Sequence, residues 1–167
     1  MKEMEIRLRS MTENDWPSVA DIYRQGIETG NATFEKEIPS WEKWNAGHLP
    51  GCRIVATVDD SVVAWAALSP VSGRCVYAGV AEVSVYVSGK YHGLRIGTLI
   101  LDRLISESEE KGIWTLQAGI FPENKASIRL HENLGFRIVG VRELIGQMNG
   151  VWRNTLLLER RSKIAGI

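Results

Sequence analysis

Long apolar runs are missing from this chain. No stretch of about 20 apolar residues exists, so no helix is expected to span a bilayer. Surplus charge is missing too. Lysine plus arginine, 20 residues, offsets aspartate plus glutamate, also 20, so no overall field draws the chain to nucleic acid or an anionic membrane. Cysteine is scarce. Cys52 and Cys75 are the only two and show no motif spacing, which leaves two free thiols in a reducing compartment or a single bridge. Histidine is scarce as well. His48, His92 and His131 stand without an acidic or cysteine cluster at ligand spacing, so no metal site is expected. Met1 to Met11 alternates charged with apolar residues and lacks the hydrophobic block of a signal peptide. No repeat, low-complexity tract or linker interrupts the chain. A cytoplasmic location is the default expectation.

What is present suits a sheet covered by helices. At 167 residues the chain is long enough for one core, and a single domain over residues 1–167 is expected. The organising stretch runs from Glu82 to Gly112. Val83, Val85 and Val87 alternate with Glu82, Ser84 and Tyr86, the period of a half-buried strand opening at Glu82. A turn with Gly93 and Gly97 follows. Then Ile96, Leu99, Ile100 and Leu104 recur at helical spacing and define a packing face. Gly112 marks the helix end. A helix start preceded by a glycine turn offers free amides and the positive end of the macrodipole, which suits a phosphate.

The remaining elements follow from the same rules. Glu5–Met11 reads as a strand. Thr12, with Asp15 three residues on and Pro17 in the first turn, begins a helix that ends near Gly30. A loop covers Asn31–Pro39, and Ser40 caps a helix bearing Trp41 and Trp44. Arg53–Val58 and Val62–Leu68 form a hairpin around Asp59-Asp60-Ser61, with Pro70–Gly73 breaking its second strand. Trp114–Ile120 is a strand and Lys125–Leu134 a short helix. Phe136–Ile145 and Val151–Glu159 close the chain around Gly146–Gly150. The strand–helix–strand unit implies a parallel pair, and the hairpins imply antiparallel ones. The expected fold class is therefore α/β (α+β), with a mixed sheet of seven strands and four helices.

Four stretches together resemble the GNAT superfamily of N-acetyltransferases, and within it the phosphinothricin and methionine-sulfone acetyltransferase branch. They are NATFE at Asn31–Glu35, EVSVYV at Glu82–Val87, HGLRIG at His92–Gly97 and NKASIRLHENLGF at Asn124–Phe136. Gly146 with Gly150–Trp152 adds a weaker fifth. The resemblance implies a splayed, mostly antiparallel sheet with acetyl-CoA in the splay, and direct acetyl transfer to the primary amine of a small amino-acid-like acceptor. Phosphinothricin, methionine sulfoximine and methionine sulfone are the acceptors it suggests. It also implies a homodimer, since several of the six tryptophans lie on segments that pair subunits in that branch.

By the same resemblance, roles fall on individual residues. An amine attacks a thioester only as the free base, so a base is useful at neutral pH. Glu82 is the candidate, against the plainer reading of a solvent-facing strand carboxylate. The main chain at Val85, Tyr86 and Val87 holds the pantetheine arm and the acetyl carbonyl. His92, Gly93, Leu94, Arg95, Ile96, Gly97 and Thr98 cradle the pyrophosphate. Arg95 stands where the family usually has glycine; it either points to solvent or adds a charge-assisted phosphate contact. Asn124 and Ser127 face the pantetheine. His131, where many relatives carry a tyrosine, is free to donate to the leaving sulfur, to bind a backbone carbonyl, or to fill the helix face. Phe34, Glu35, Arg74 and Tyr77 line the acceptor site together with Glu82, although Arg74 also reads as a solvated loop cation. Two positions depart from the branch: Met148 where lysine is common, and Asn154 where aspartate is.

Three other readings compete. One is a GNAT enzyme for a polyamine or a protein N-terminus; net neutrality counts against the polyamine. Another is a non-catalytic acyl-CoA-binding module, against which Glu82 argues. The third is a Rossmann-type dinucleotide binder, whose Gly-x-Gly-x-x-Gly after the first strand is absent.

Overall fold

The computed structural model describes residues 3–167. Met1 and Lys2, where the expected domain begins, lie outside the described residues. Among those described, the chain order is β1 (Ile6–Ser10), α1 (Trp16–Glu28), α2 (Trp41–Gly47), β2 (Ile54–Val58), β3 (Ser61–Pro70), β4 (Val80–Val87), α3 (Ile96–Glu110), β5 (Thr115–Ile120), α4 (Lys125–Asn133), β6 (Arg137–Met148) and β7 (Val151–Arg161). The strands form one sheet in the order β1-β2-β3-β4-β5-β7-β6. Every neighbouring pair is antiparallel except β4 and β5, which α3 joins as a crossover. The mixed, mostly antiparallel architecture expected from the sequence is the one observed.

Two apolar layers hold the helices on opposite faces. On one face, Ile54, Ala56, Ala66, Leu68, Ala81 and Val83 meet Ile96, Ile100, Leu101, Leu104 and Ile105 of α3. On the other, Val55, Trp65 and Ala67 meet Val19, Ile22 and Tyr23 of α1 and Trp44 of α2. β2 is buried along its whole length and β3 over its centre because helices cover both of their faces. Burying aromatic rings contributes most per residue. Here Trp65 sits at the centre, stacked on Tyr86 at 4.9 Å and met edge-on by Tyr23 and Trp44.

Local chemistry sets the element ends. Asp59 and Asp60 both have positive φ, and Val58 pairs with Ser61. This is the two-residue turn whose twist matches a hairpin. Asn149 and Gly150 repeat it between β6 and β7. Asp15 accepts from the Thr12 amide at 2.8 Å and from both Arg9 Nη atoms at 2.7 Å. Both cysteines are free thiols; Cys52 is buried and Cys75 exposed.

Several boundaries differ from expectation. The Thr12–Asp15 pair closes a 3-10 turn, and α1 itself begins at Trp16. β3 continues through Pro70, which pairs with Ala81; a strand end tolerates the missing N–H. β4 opens at Val80, so Glu82 is its third residue. Gly146 belongs to β6, which reaches Met148. Leu99 is 44% exposed. The buried arc of α3 is centred between Leu104 and Leu101, and at 100° per residue Leu99 falls outside it.

Candidate active site

The sheet opens in the middle. β4 and β5 pair only at Val80–Thr115, Ala81–Leu116 and Glu82–Gln117. Beyond Glu82 the two strands part, although β4 runs on to Val87 and β5 to Ile120. β4 keeps its partner β3 along its other edge up to Val87. Its edge toward β5 is left with backbone donors and acceptors that need partners. Glu82 stands at the vertex of this opening, partly buried. A Cβ added to Gly119 of β5 would meet Glu82 Oε1 at 3.7 Å and nothing else within 4 Å. A glycine there leaves room beside the carboxylate.

At the wide end of the opening stands the start of α3. No side chain caps it, and Arg95 occupies the cap position with φ 62° and ψ 15°. The first amides of a helix have no partner within it, so those of Ile96, Gly97 and Thr98 point outward. Gly93 also has positive φ, 79°. His92 Nε2 donates to the Val87 carbonyl at 2.9 Å, pinning the turn to the end of β4. Leu94 and Arg95 are exposed. A Cβ on Gly97 would stand 3.3 Å from Leu130 and 3.7 Å from Val87, so glycine lets α3, α4 and β4 converge here. The left-handed backbone at Arg95 explains why glycine suits that position, and it costs arginine about 1–2 kcal/mol.

α4 forms the far wall. Asn124 caps it, its Oδ1 accepting from the Ser127 amide at 3.2 Å. Asn124 Nδ2 donates to the Asn31 carbonyl at 3.2 Å. His131 is only 4% exposed. Its Nδ1 donates to the Ser127 carbonyl at 2.7 Å, which leaves Nε2 without the proton in the neutral ring. Burial pushes the imidazole pKa below its ordinary value, against the opposing pull of the Ser127 carbonyl. Phe136 meets the ring edge-on at 5.0 Å.

The expected acceptor residues fall into two groups. Phe34 lies at the end of β5, edge-on to Phe121 at 4.8 Å, and a Cβ on Gly146 would meet its ring at 2.8 Å. Glu35 beside it is exposed. Arg74 and Tyr77 sit at the other end of β4, with the Arg74 guanidinium 5.4 Å from the Tyr77 ring centre. Tyr77, Val76, Trp114 and Gln117 line a hollow of about 480 Å³, and Gln117 is the cross-strand partner of Glu82. The Tyr86 side chain lies in the aromatic layer, where burial drives its pKa well above the ordinary phenol value. Among the described residues, no group of three His, Cys, Asp or Glu stands together as metal ligands would. Among the same residues, no helix is long and apolar enough to cross a membrane.

Sequence reading missed Arg153, Phe121, Gln117 and Gly119. Phe121 was legible only as part of a turn, and nothing marks Arg153 among the surface cations. The two positions that depart from the branch each have a defined local contact. Met148 Sδ lies 3.2 Å from Arg153 Nη1, so a lysine there would oppose a second cation. Asn154 Oδ1 accepts from the Leu144 amide at 2.8 Å, holding a β6 irregularity where Leu144 has positive φ.

Residues 15–136 match the model of the acetyltransferase (GNAT) family. A phosphinothricin N-acetyltransferase of Streptomyces coelicolor is 30% identical over 164 residues, 93% of this chain and 96% of that protein. The crystal structure of a GNAT superfamily phosphinothricin acetyltransferase from Sinorhizobium meliloti, in complex with AcCoA, is similar with TM-score 0.87 and 27% identity, covering 96% of this chain and 90% of that one. A ribosomal-protein-alanine N-acetyltransferase from Brucella melitensis is similar with TM-score 0.85 and 29% identity, covering 93% and 99%.

Two measurements check this geometry. Folded His131 resists protonation, so the unfolded chain binds more protons near its ordinary pKa of about 6.5. Stability is then fully present above about pH 6.5 and declines as the pH falls through that value. His131→Asn, which keeps a donor for Ser127, flattens the decline of Tm between about pH 7 and 5. Some slope remains, because burial depresses His48 in the same direction. Separately, Arg95→Gly raises unfolding free energy by up to about 1 kcal/mol in a urea titration, relief of the left-handed strain exceeding the added chain entropy.

Proposed function

The chain belongs to the acetyltransferase (GNAT) family, and from that premise we propose that Glu82 is the base of an acetyl-CoA-dependent N-acetyltransferase acting on a small amino-acid-like amine. The single observation that carries the reading is the parting of β4 from β5 immediately after Glu82. It supports a slot in which a thioester arm completes the hydrogen bonding of β4, with a carboxylate at the slot's inner end.

The residues present fit acetyl-CoA. Free amides at the start of α3 suit a pyrophosphate, since both unpaired N–H groups and the helix dipole favour an anion. The turn from His92 to Thr98 is the proposed cradle, and an exposed Arg95 guanidinium is within the same turn to add a charge-assisted contact. The β4 main chain at Val85, Tyr86 and Val87, with Asn124 and Ser127 opposite, is the proposed track for the pantetheine. Acetyl-CoA supplies the activated acetyl carbon and a thiolate leaving group. Glu82 takes the ammonium proton, directly or through water, so that the amine attacks as free base. Backbone N–H groups of β4 steady the oxyanion that develops. For His131 the proposal is positional: its one ring proton is committed to Ser127, and burial disfavours the imidazolium that could protonate sulfur. A thiol pKa of about 8.5 lets the thiolate leave with little help.

Phosphinothricin, methionine sulfoximine and methionine sulfone are the proposed acceptors, after the relatives' names. Phe34, Glu35, Arg74 and Tyr77 are the proposed acceptor residues. A protein N-terminus is the second reading, favoured by the likeness to a ribosomal-protein-alanine acetyltransferase. A cytoplasmic homodimer is proposed, pairing through β6 and β7. Its support is β6, an edge strand exposed along nearly its full length. With β7 it displays Val141, Leu144, Ile145, Val151 and Trp152, each at least 49% exposed. A long apolar edge of this kind is covered in stable proteins.

Thiol release from acetyl-CoA decides the acceptor. Methionine sulfone and phosphinothricin should outpace spermidine and an alanine-terminated peptide; the reverse order would move the assignment to the second reading. Glu82→Gln should lower kcat by about 10²–10⁴ while leaving the acetyl-CoA Kd within about twofold. Unchanged turnover would remove Glu82 from the chemistry. Sedimentation should give a dimer for the wild type and a monomer for Val141→Glu/Trp152→Glu, since two carboxylates would be left unpaired in the apolar contact.

A further inference from the structure

Arg153 is a cation on β7 that behaves like a buried hub. Its side chain is only 15% exposed. Nη1 donates to the Gly30 carbonyl. Nη2 donates to Asn31 Oδ1 at 2.7 Å and to Glu123 Oε2 at 3.2 Å. The guanidinium plane lies 3.8 Å over the Phe121 ring, and Nη1 touches Met148 Sδ. One side chain therefore joins three segments: the loop after α1, the β5–α4 junction and the β6–β7 hairpin.

None of these partners belongs to either apolar layer. Phe121 and Met148 are nonetheless buried, and two of the three segments carry proposed site residues. Phe34 follows Asn31 by three residues and meets the same Phe121 ring edge-on at 4.8 Å. Asn124 follows Glu123 and donates to the Asn31 carbonyl. The loop from Asn31 to Ser40 has no regular structure, so its backbone has no ladder to hold it. Its first residues are held by that bond to Asn124, by the Asn31 amide donating to Thr29 Oγ1 at 3.2 Å, by Thr33 hydrogen-bonding Tyr23 and Tyr86, and by two donors of Arg153.

We propose that Arg153 is a positioning residue for the acceptor: its guanidinium locks the 30–35 loop to the β5–α4 junction, so that Phe34 and Asn124 are set at a fixed separation. The inference rests on the reading that Phe34 lines the acceptor site. A planar fork with several donors and a stacking face can make all these contacts at once; a lysine ammonium, a point charge on a flexible stem, cannot. Met148 completes the arrangement as a neutral neighbour.

The test compares Arg153→Met, Arg153→Lys and Phe34→Ala with the wild type in steady-state kinetics with methionine sulfone. Hydrogen exchange and acetyl-CoA titration accompany it. Arg153→Met should raise the acceptor KM roughly tenfold or more, kcat falling by less than about threefold. The acetyl-CoA Kd should stay within about twofold and Tm within about 5 °C of wild type. Amides of residues 31–35 should exchange faster. Arg153→Lys should recover little of the KM, and Arg153→Met should add little to Phe34→Ala, because both act through one contact. If Arg153→Met does not fold, Arg153→Gln is measured in its place. An unchanged KM in the Arg153 variants beside a raised KM in Phe34→Ala would overturn the clamp. An unchanged KM in Phe34→Ala would instead overturn the acceptor reading on which it rests. A parallel loss of Tm, acetyl-CoA affinity and kcat would reduce Arg153 to a structural residue and also overturn the proposal.

Discussion

The structure depends on a hydrogen-bonding deficit. A parallel strand pair that stops after Glu82–Gln117 leaves the next stretch of β4 paired on one side only. Backbone N–H and C=O groups away from water demand partners, and a strand edge in the middle of a sheet is normally closed. Here the closure is withheld, and neighbouring elements are arranged around the gap instead of across it. α3 places its uncapped start at the wide end. α4 stands opposite β4, and the close packing of Gly97 against Leu130 and Val87 brings both helices to one spot. The antiparallel β5–β7 pairing continues to Ile120–Leu156, so β5 is anchored on its far side and does not collapse back onto β4.

The two halves of the gap differ in electrostatic character, which orders the chemistry along it. The wide end offers helix amides and the exposed Arg95, a setting for anionic phosphate. The narrow end offers a carboxylate beside a side-chain-free strand position, Gly119, a setting for an ammonium that must lose its proton. Net neutrality of the chain means that this polarity is local. Arginine at a left-handed position is a small conformational cost at the turn proposed to hold the pyrophosphate, which agrees with strain collecting at functional turns.

Most of the fold was legible because its signals are short-range. Two aspartates in a row between apolar runs, Asn149-Gly150, alternation in β4 and Gly112 after α3 each act within a few residues. The errors were also local. Pro70 was read as a breaker because its missing N–H matters only where a partner strand needs it. Leu99 was placed in the core because a helical repeat defines a face but not the centre of the buried arc. Glu82 was put at the strand start because the motif begins there, while the hydrogen bonding begins at Val80. The site was legible only through family resemblance, except for the glycine turn. Arg153 was not legible at all: its partner Gly30 lies 123 residues back along the chain, and no pattern of spacing encodes such a contact.

That distant contact bears on how a conserved architecture takes different acceptors. The sheet gap and α3 are built from neighbouring pieces of chain, and their geometry is set by β-pairing and helix packing. The proposed acceptor side is a loop without regular structure met from β7 by the Arg153 guanidinium. Backbone pairing is insensitive to which side chains are present, whereas a guanidinium clamp is not. With methionine at 148, the cation over the Phe121 ring is Arg153, a planar fork bound to Gly30, Asn31 and Glu123. Under the clamp proposed above, its donors are engaged in holding the loop instead of meeting an acceptor's anionic group. Under the same proposal, recognition of a carboxylate, phosphinate or sulfone falls to another cation, and Arg74, whose guanidinium meets the Tyr77 ring at the opposite end of β4, is among the residues proposed for the acceptor site.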